Sequence, residues 1–191
     1  MLSDNAPTGE WRNRLCDCCK YGLLHPMLLM AWCCPQILVA QVMTRMKLNF
    51  LGKPAPYDEW TKTFRNVWWI TVAVFVLRFL TSPTVEVDED GNPETGTINP
   101  TAGFVRSTIS FLYTLYIWYI LYVTRARVRE RYSIPEECCA GCEDMLCAVC
   151  CSCCTAAQMA DHTADYDVIR ETCCTNTGLP KAVNPKGMYE V

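Results

Sequence analysis

The sequence predicts an all-α membrane protein in which a two-helix transmembrane hairpin is flanked by two cysteine-rich helical segments on the cytoplasmic side. Three observations carry this expectation. Two long apolar stretches lie at residues 67–85 and 104–124. Lysine and arginine crowd the outer flanks of the pair and are missing between them, and the fifteen cysteines gather before the first stretch and after the second. Of 191 residues, 51% are hydrophobic and only 19% charged, too apolar for an ordinary soluble surface. The net charge of −3 gives no reason to expect a polyanion partner, so nucleic acid is set aside.

Residues 1–10 form a polar tail without a signal-peptide or lipidation pattern. The single cysteine-rich membrane domain is expected over residues 11–167. Its first cysteine segment, residues 11–46, holds Cys16-x-Cys18-Cys19 and Cys33-Cys34. The apolar run at 23–43 is interrupted by Pro26 and Pro35, and freed backbone groups in lipid need partners. A bent, interfacial or re-entrant element is therefore expected there rather than a straight span.

The first span is placed at 67–85. Its continuous apolar part, residues 67–80, reaches only about 21 Å as a helix and so must extend toward Val85 or sit in thinned lipid. Trp68 and Trp69 anchor its entry, and no polar face appears between Val67 and Leu77. Residues 86–103 form an acidic non-cytoplasmic loop with Glu86, Asp88, Glu89, Asp90 and Glu94, broken by Pro93 and Pro100. It lacks the ligand spacing of a calcium loop and reads as a solvated, turn-rich connector. The second span, residues 104–124, is about the twenty residues that a hydrocarbon core of roughly 30 Å requires. Its one charge, Arg106, lies near an end, and its tyrosines suit packing against a partner or anchoring at the interface.

Orientation follows from the basic residues. Lys47, Lys53, Lys62 and Arg65 precede the hairpin and Arg125, Arg127, Arg129 and Arg131 follow it, which places both termini in the cytoplasm. A reducing compartment and an odd cysteine count both argue against a closed disulfide framework.

The basic exit and second cysteine segment, residues 125–167, carry Cys138, Cys139, Cys142, Cys147, Cys150, Cys151, Cys153 and Cys154. On one helix, Cys147, Cys150, Cys151 and Cys154 would form a stripe at i, i+3, i+4 and i+7, continued by Gln158 and Asp161. Thiolates are soft ligands for zinc, cadmium or cuprous copper, though the spacing is not that of a zinc ribbon. Three readings of these thiols stand side by side: metal ligation, palmitoylation at a membrane surface, and packing as small buried hydrophobes. Residues 33–41 also echo residues 150–158 without gaps, sharing a cysteine pair, an alanine and a final glutamine. Of the two histidines, His25 is expected to pack and His162 is a weak ligand candidate. Residues 168–191 form a polar tail with a further pair, Cys173-Cys174. No catalytic constellation is visible, and an enzyme is not expected.

Several of these motifs together resemble the placenta-specific-eight (cysteine-rich) family, which includes plant cadmium-resistance proteins, cell-number regulators and cornifelin. Leu15-Cys16-Asp17-Cys18 is similar to the family's opening motif, and Trp32-Cys33-Cys34-Pro35 with Ala40-Gln41 resembles its first cysteine-proline motif. The basic stretch 125–136 resembles the exit from its hydrophobic hairpin, and the cysteine run ending at Gln158 its second motif. The chain departs from the pattern at Gln36 and at Ala157, where the family commonly has cysteine, and its acidic connector is longer.

The resemblance implies a small membrane protein, at the plasma membrane, that assembles with copies of itself and influences heavy-metal tolerance, calcium entry or cell number. With the residues, it gives an expectation of divalent-metal handling by a homo-oligomer. Its ligands would be Cys33, Cys34 and the cluster from Cys138 to Cys154, with zinc or another soft divalent ion bound. The rival expectation is a palmitoylated scaffold or regulator of proliferation that transports nothing.

Overall fold

A computed structural model describes residues 6–22, 24–82, 85–87, 93–95, 100–137, 139, 141–168 and 172–180. Apart from one short ribbon and a single turn of 3-10 helix at Asp17–Cys19, its regular structure is helical. In order these are α1 (Pro26–Cys33), α2 (Pro35–Arg45), α3 (Tyr57–Trp60), α4 (Thr63–Leu80), β1 (Val85–Val87), β2 (Pro93–Thr95), α5 (Pro100–Tyr132), α6 (Glu143–Cys150) and α7 (Ser152–Thr163). The chain divides into two units, residues 69–116 and the remainder.

The smaller unit holds most of α4, the ribbon and the first half of α5. Two helical stretches, Tyr57–Leu80 and Thr101–Tyr132, are long and apolar enough to cross a membrane. The hairpin expected from the sequence is therefore present, with different limits. The first helix starts at Thr63, ahead of the expected 67, and stops at Leu80, where Ser82 turns its hydroxyl back onto the Arg78 carbonyl at 2.9 Å. The second runs to Tyr132, 33 residues or about 50 Å, so its arginine-bearing end outruns a hydrocarbon core of roughly 30 Å. Within this unit the Tyr113 hydroxyl donates to Thr71 Oγ1 at 2.9 Å, and Arg106 reaches Ser82 Oγ at 3.1 Å. The arginine near the end of the apolar run thus finds a polar partner at the connector, as snorkelling requires.

The connector differs from the irregular loop expected. Val85, Glu86 and Val87 pair antiparallel with Thr95, Glu94 and Pro93, so it is pinched by a two-stranded ribbon. Asp88, Glu89 and Asp90 lie outside the described residues.

In the larger unit, α2 and α7 pack directly on each other, and α1 and α6 pack against α7. Each long helix follows a short one after a single non-helical cysteine. α1 is initiated by His25, whose ring accepts from the Met27 N–H at 3.3 Å, with Pro26 at the first helical position. It ends because Pro35 forces Cys34 out of the helical region, to φ −145° and ψ 60°. Pro35 then opens α2, and the two helices meet at 116°. The bend expected in residues 23–43 is present. Every residue of α2 from Gln36 to Arg45 is buried, so within this unit the helix is core.

α6 and α7 repeat the arrangement. Cys151 breaks the helix at φ −133° and ψ 47°, close to Cys34. No proline enforces this break. Instead, the Ser152 hydroxyl donates to the Ala148 carbonyl and Thr155 Oγ1 to the Cys147 carbonyl at 2.8 Å, satisfying acceptors that α6 leaves at its end. The nine-residue sequence echo is thus a structural repeat of short helix, cysteine break and long buried helix, with Gln41 and Gln158 in matching places.

Candidate functional site: surface thiols around a buried polar core

The repeat brings two polar clusters into the interior, one for each long helix. Arg125, near the end of α5, is almost fully buried. Its Nε donates to Asp144 Oδ1 at 3.1 Å, its Nη2 to Glu143 Oε1 at 3.3 Å and its Nη1 to Gln158 Oε1. The Trp11 ring lies 4.5 Å from the guanidinium carbon. The amide of Gln158 passes the network on by donating to the Asn13 carbonyl at 2.9 Å, and Glu143 also accepts from the Glu137 N–H at 2.7 Å. Burial holds the Asp144 carboxyl above the usual carboxylate range even though Arg129 and Arg125 pull it down.

The second cluster surrounds Arg45 at the end of α2. Its guanidinium donates to the carbonyls of Thr177 at 2.6 Å and Ala160 at 3.0 Å, and to the hydroxyls of Thr163 at 3.1 Å and Tyr166 at 2.8 Å. Asp161 accepts from the Tyr21 hydroxyl at 2.7 Å and from the Asn13 amide. Burial pushes its carboxyl up, and these hydrogen bonds work against that.

His162 proves a core residue rather than an open ligand. Its Nδ1 accepts from the Arg12 N–H at 3.2 Å, and its ring meets the edges or faces of Trp11 and Tyr132 at centroid distances of 5.2 and 4.5 Å. Burial first, then Arg12, pushes its pKa down to about 4. The sign of the resulting pH dependence is fixed. Above the ordinary 6.5 the ring is neutral folded or unfolded. As pH falls toward about 4, only the unfolded chain takes the proton, so stability declines by roughly 3 kcal/mol across that window. Asp161 acts in the opposite sense, so the contribution is isolated by comparison. His162→Gln is expected to flatten the fall in unfolding temperature between pH 6.5 and 4 measured in detergent.

The thiols surround this core. Cys33 ends α1 and is exposed, and Cys34 occupies the break, half-buried. Cys147 and Cys150 lie on α6, Cys151 at the second break, and Cys153 and Cys154 on the first turn of α7 with sulfurs 3.9 Å apart. The break at Cys151 corrects the continuous stripe of Cys147, Cys150, Cys151 and Cys154 expected from helical spacing. The first two and the last belong to different helices. Cys139 and Cys142, expected as thiolate ligands, are joined in a disulfide, which leaves neither sulfur a thiolate; Cys138 lies outside the described residues. Among the described residues no three His, Cys, Asp or Glu side chains are grouped to hold a metal ion. Burial raises the pKa of the Cys34 and Cys147 thiols, the latter against the pull of Arg125.

Arg45 and Arg125 were not among the residues expected to carry chemistry, and Asp161 was expected only to extend the cysteine stripe. The repeat was the available signal, since each break is followed seven residues later by a buried glutamine, Gln41 or Gln158.

Comparison with known proteins bears on the same segments. The family model described as the PLAC8 family matches residues 11–162, most of the chain, and takes in both cysteine breaks and the hairpin. No curated protein and no solved structure matches.

Proposed function

The chain belongs to the PLAC8 family, and from that membership we propose that it handles soft divalent metal ions at a membrane, working as a homo-oligomer with its thiols on the cytoplasmic side. The family includes metal-resistance proteins and cell-number regulators. The observation that carries the metal reading is the exposure of the thiols. The cysteines outside the disulfide whose side chains are described are all exposed or half-buried, although cysteine outside disulfides is among the most buried residue types. A packing role would bury them, whereas ligand exchange needs access.

The thiols come in pairs, Cys33 with Cys34, Cys150 with Cys151, and Cys153 with Cys154. A tetrahedral thiolate site needs four donors, so two pairs from neighbouring copies would complete one, and the oligomer would be part of the chemistry. The acidic connector would gather cations on the far side. Metal analysis of the detergent-purified protein under reducing conditions tests the reading. Bound zinc or cadmium is expected, falling when Cys147, Cys150 and Cys151 are changed to serine. Protein that binds neither ion would refute it.

A second reading has its own support. Trp32 beside Cys33, and Met145, Leu146 and Val149 beside Cys150, are exposed apolar side chains, an environment that suits acyl chains inserting into lipid. On that reading the protein is a palmitoylated scaffold or regulator. Hydroxylamine-sensitive acylation of Cys33 and Cys150, in protein that binds no metal, would favour it.

A further inference from the structure

Between the end of α2 and the start of α3 the chain doubles back in a tight hairpin. Leu48 and Pro54 pair as an isolated antiparallel bridge, and the Asn49 N–H donates to the Lys53 carbonyl at 2.8 Å. The Asn49 side-chain oxygen closes the turn by accepting from the N–H groups of Leu51 and Lys53, each at 3.1 Å. At the base of the hairpin the Ala55 N–H reaches the Lys47 carbonyl at 3.3 Å, and the Thr63 hydroxyl holds the Leu48 carbonyl at 2.7 Å.

The turn rests on α5. Gly52 has φ +74°, and a Cβ there would lie 2.6 Å from Val123 Cγ1, in the last turn of the apolar run 104–124. The base of the hairpin meets the turns of α5 that follow. There a cavity of about 450 Å³ is lined by Lys47, Leu48 and Pro54 from the hairpin and by Arg127, Glu130 and Arg131 from α5.

Charge dominates its rim. Lys47 and Arg131 are exposed and Arg127 is half-buried. Arg127 meets Glu130 at 2.7 Å, but an exposed pair three residues apart contributes little and yields readily to a stronger anion. Lys47 takes the left-handed φ of 58° just past the end of α2, where glycine is the usual residue, and outliers of this kind gather at binding sites.

Position along α5 decides which anion these cations meet. The apolar run ends at Thr124, and at 1.5 Å per residue Arg127 and Arg131 lie roughly 5 and 10 Å beyond it. Lipid headgroups occupy roughly the first 5–7 Å outside the hydrocarbon core. Arg127 is therefore level with lipid phosphates, and Arg131 borders the water beneath them.

We propose that this cavity binds the headgroup of an anionic phospholipid bearing a phosphate monoester, from the leaflet at this end of the hairpin α4–α5. Such a monoester carries close to two negative charges, and Lys47, Arg127, Arg131 and Glu130 together carry a formal +2. Arg127 and Arg131, four residues apart, share a face of α5 and offer planar forks to phosphate oxygens, while Lys47 adds a point charge from the hairpin. The site uses no thiol, so it is independent of metal handling.

The test is native mass spectrometry of the full-length protein in detergent, with phosphatidylinositol monophosphate, phosphatidylserine or phosphatidylcholine added, and free inositol bisphosphate as the water-soluble headgroup. The monophosphate lipid is expected to bind most tightly. Lys47→Gln and Arg131→Gln should each lower its affinity about fivefold, and together about 30-fold, the share of one and of two basic residues beside an anionic surface. Lys62→Gln with Arg65→Gln removes two exposed cations that precede the same span but do not line the cavity, and should leave the affinity unchanged. An equal loss in that pair would mean diffuse attraction and would overturn the site. Free inositol bisphosphate bound as tightly as the lipid would overturn a lipid ligand, and phosphatidylserine bound as tightly would overturn the monoester. Lys47 and Arg131 are exposed, so an unchanged unfolding temperature in their variants shows that lost lipid reflects lost charge.

Discussion

Replacement of Arg125 by methionine should destabilise the larger unit by about 3–5 kcal/mol, the cost of breaking a buried ion pair from one side. Arg125 supplies the positive charge between Glu143 and Asp144 and the donor for Gln158, and its guanidinium lies against Trp11. Methionine fills much of the volume but leaves the two carboxylates with Arg129 alone, which reaches Asp144 at 3.4 Å. Equilibrium unfolding in detergent measures the loss. Changing Glu143 to Gln and Asp144 to Asn in the Arg125→Met background should recover a substantial part, because it removes the stranded charges. A loss below about 1 kcal/mol would mean that the network is solvated and weak, as exposed pairs are.

Arg45→Met should cost about 2–4 kcal/mol by a different route. The four hydrogen bonds of Arg45 go to neutral carbonyls and hydroxyls on two stretches of chain, Ala160, Thr163 and Tyr166 on one and Thr177 on the other. Truncation leaves buried acceptors without donors, and each such group carries a penalty of roughly 1–3 kcal/mol. The effect should also be local. With the Thr177 carbonyl released, residues 172–180 keep only the Gln41 amide, on the Thr175 carbonyl at 3.0 Å, of their two side-chain hydrogen bonds from α2, and proteolytic cleavage there should quicken more than elsewhere. Arg45→Lys should rescue little, since one ammonium cannot reproduce a fork that serves four acceptors. A variant in which residues 172–180 remain as resistant as in wild type would show that Gln41 and the buried Leu179 hold the segment unaided.

The hairpin was legible in the sequence because lipid imposes a simple demand, about twenty apolar residues in each helix, and residues 67–80 and 104–124 meet or approach it. Its limits were less legible. α4 begins at Thr63 because hydrogen bonding and packing, rather than hydropathy, start a helix. There the Thr63 hydroxyl donates to the Leu48 carbonyl at 2.7 Å, and Phe64 and Val67 are buried. The β1–β2 ribbon was hidden by Pro93 and by acidic residues that strands seldom favour. The break at Cys34 was written in Pro35. The one at Cys151 was not, since it depends on hydroxyls of Ser152 and Thr155 turning back onto α6. Only the echo between residues 33–41 and 150–158 linked the two.

The buried arginines were the least legible part of the site. Arg125 was read as a topology signal, because an arginine after an apolar run ordinarily reports the cytoplasmic side. Its burial depends on Glu143, Asp144 and Gln158, which lie 18 to 33 residues away, and no local pattern carries that information. The thiols were legible as chemistry from their number and pairing. How the segment that carries Cys174 is held was not, since it is placed by Gln41 and Arg45, whose side chains reach the carbonyls of Thr175 and Thr177 more than 130 residues further along the chain.

Metal handling by these thiols requires that they face the cytoplasm. Sealed membrane vesicles of known orientation, treated with a membrane-impermeant maleimide, test this directly, with mass spectrometry reading Cys33 and Cys150 and a cysteine placed in the connector by Glu94→Cys. In vesicles with the cytoplasmic face inside, the connector position should label at once, and Cys33 and Cys150 only after the membrane is opened. Immediate labelling of Cys33 and Cys150 with protection of the connector would contradict the orientation, and with it the reduced, metal-handling thiols.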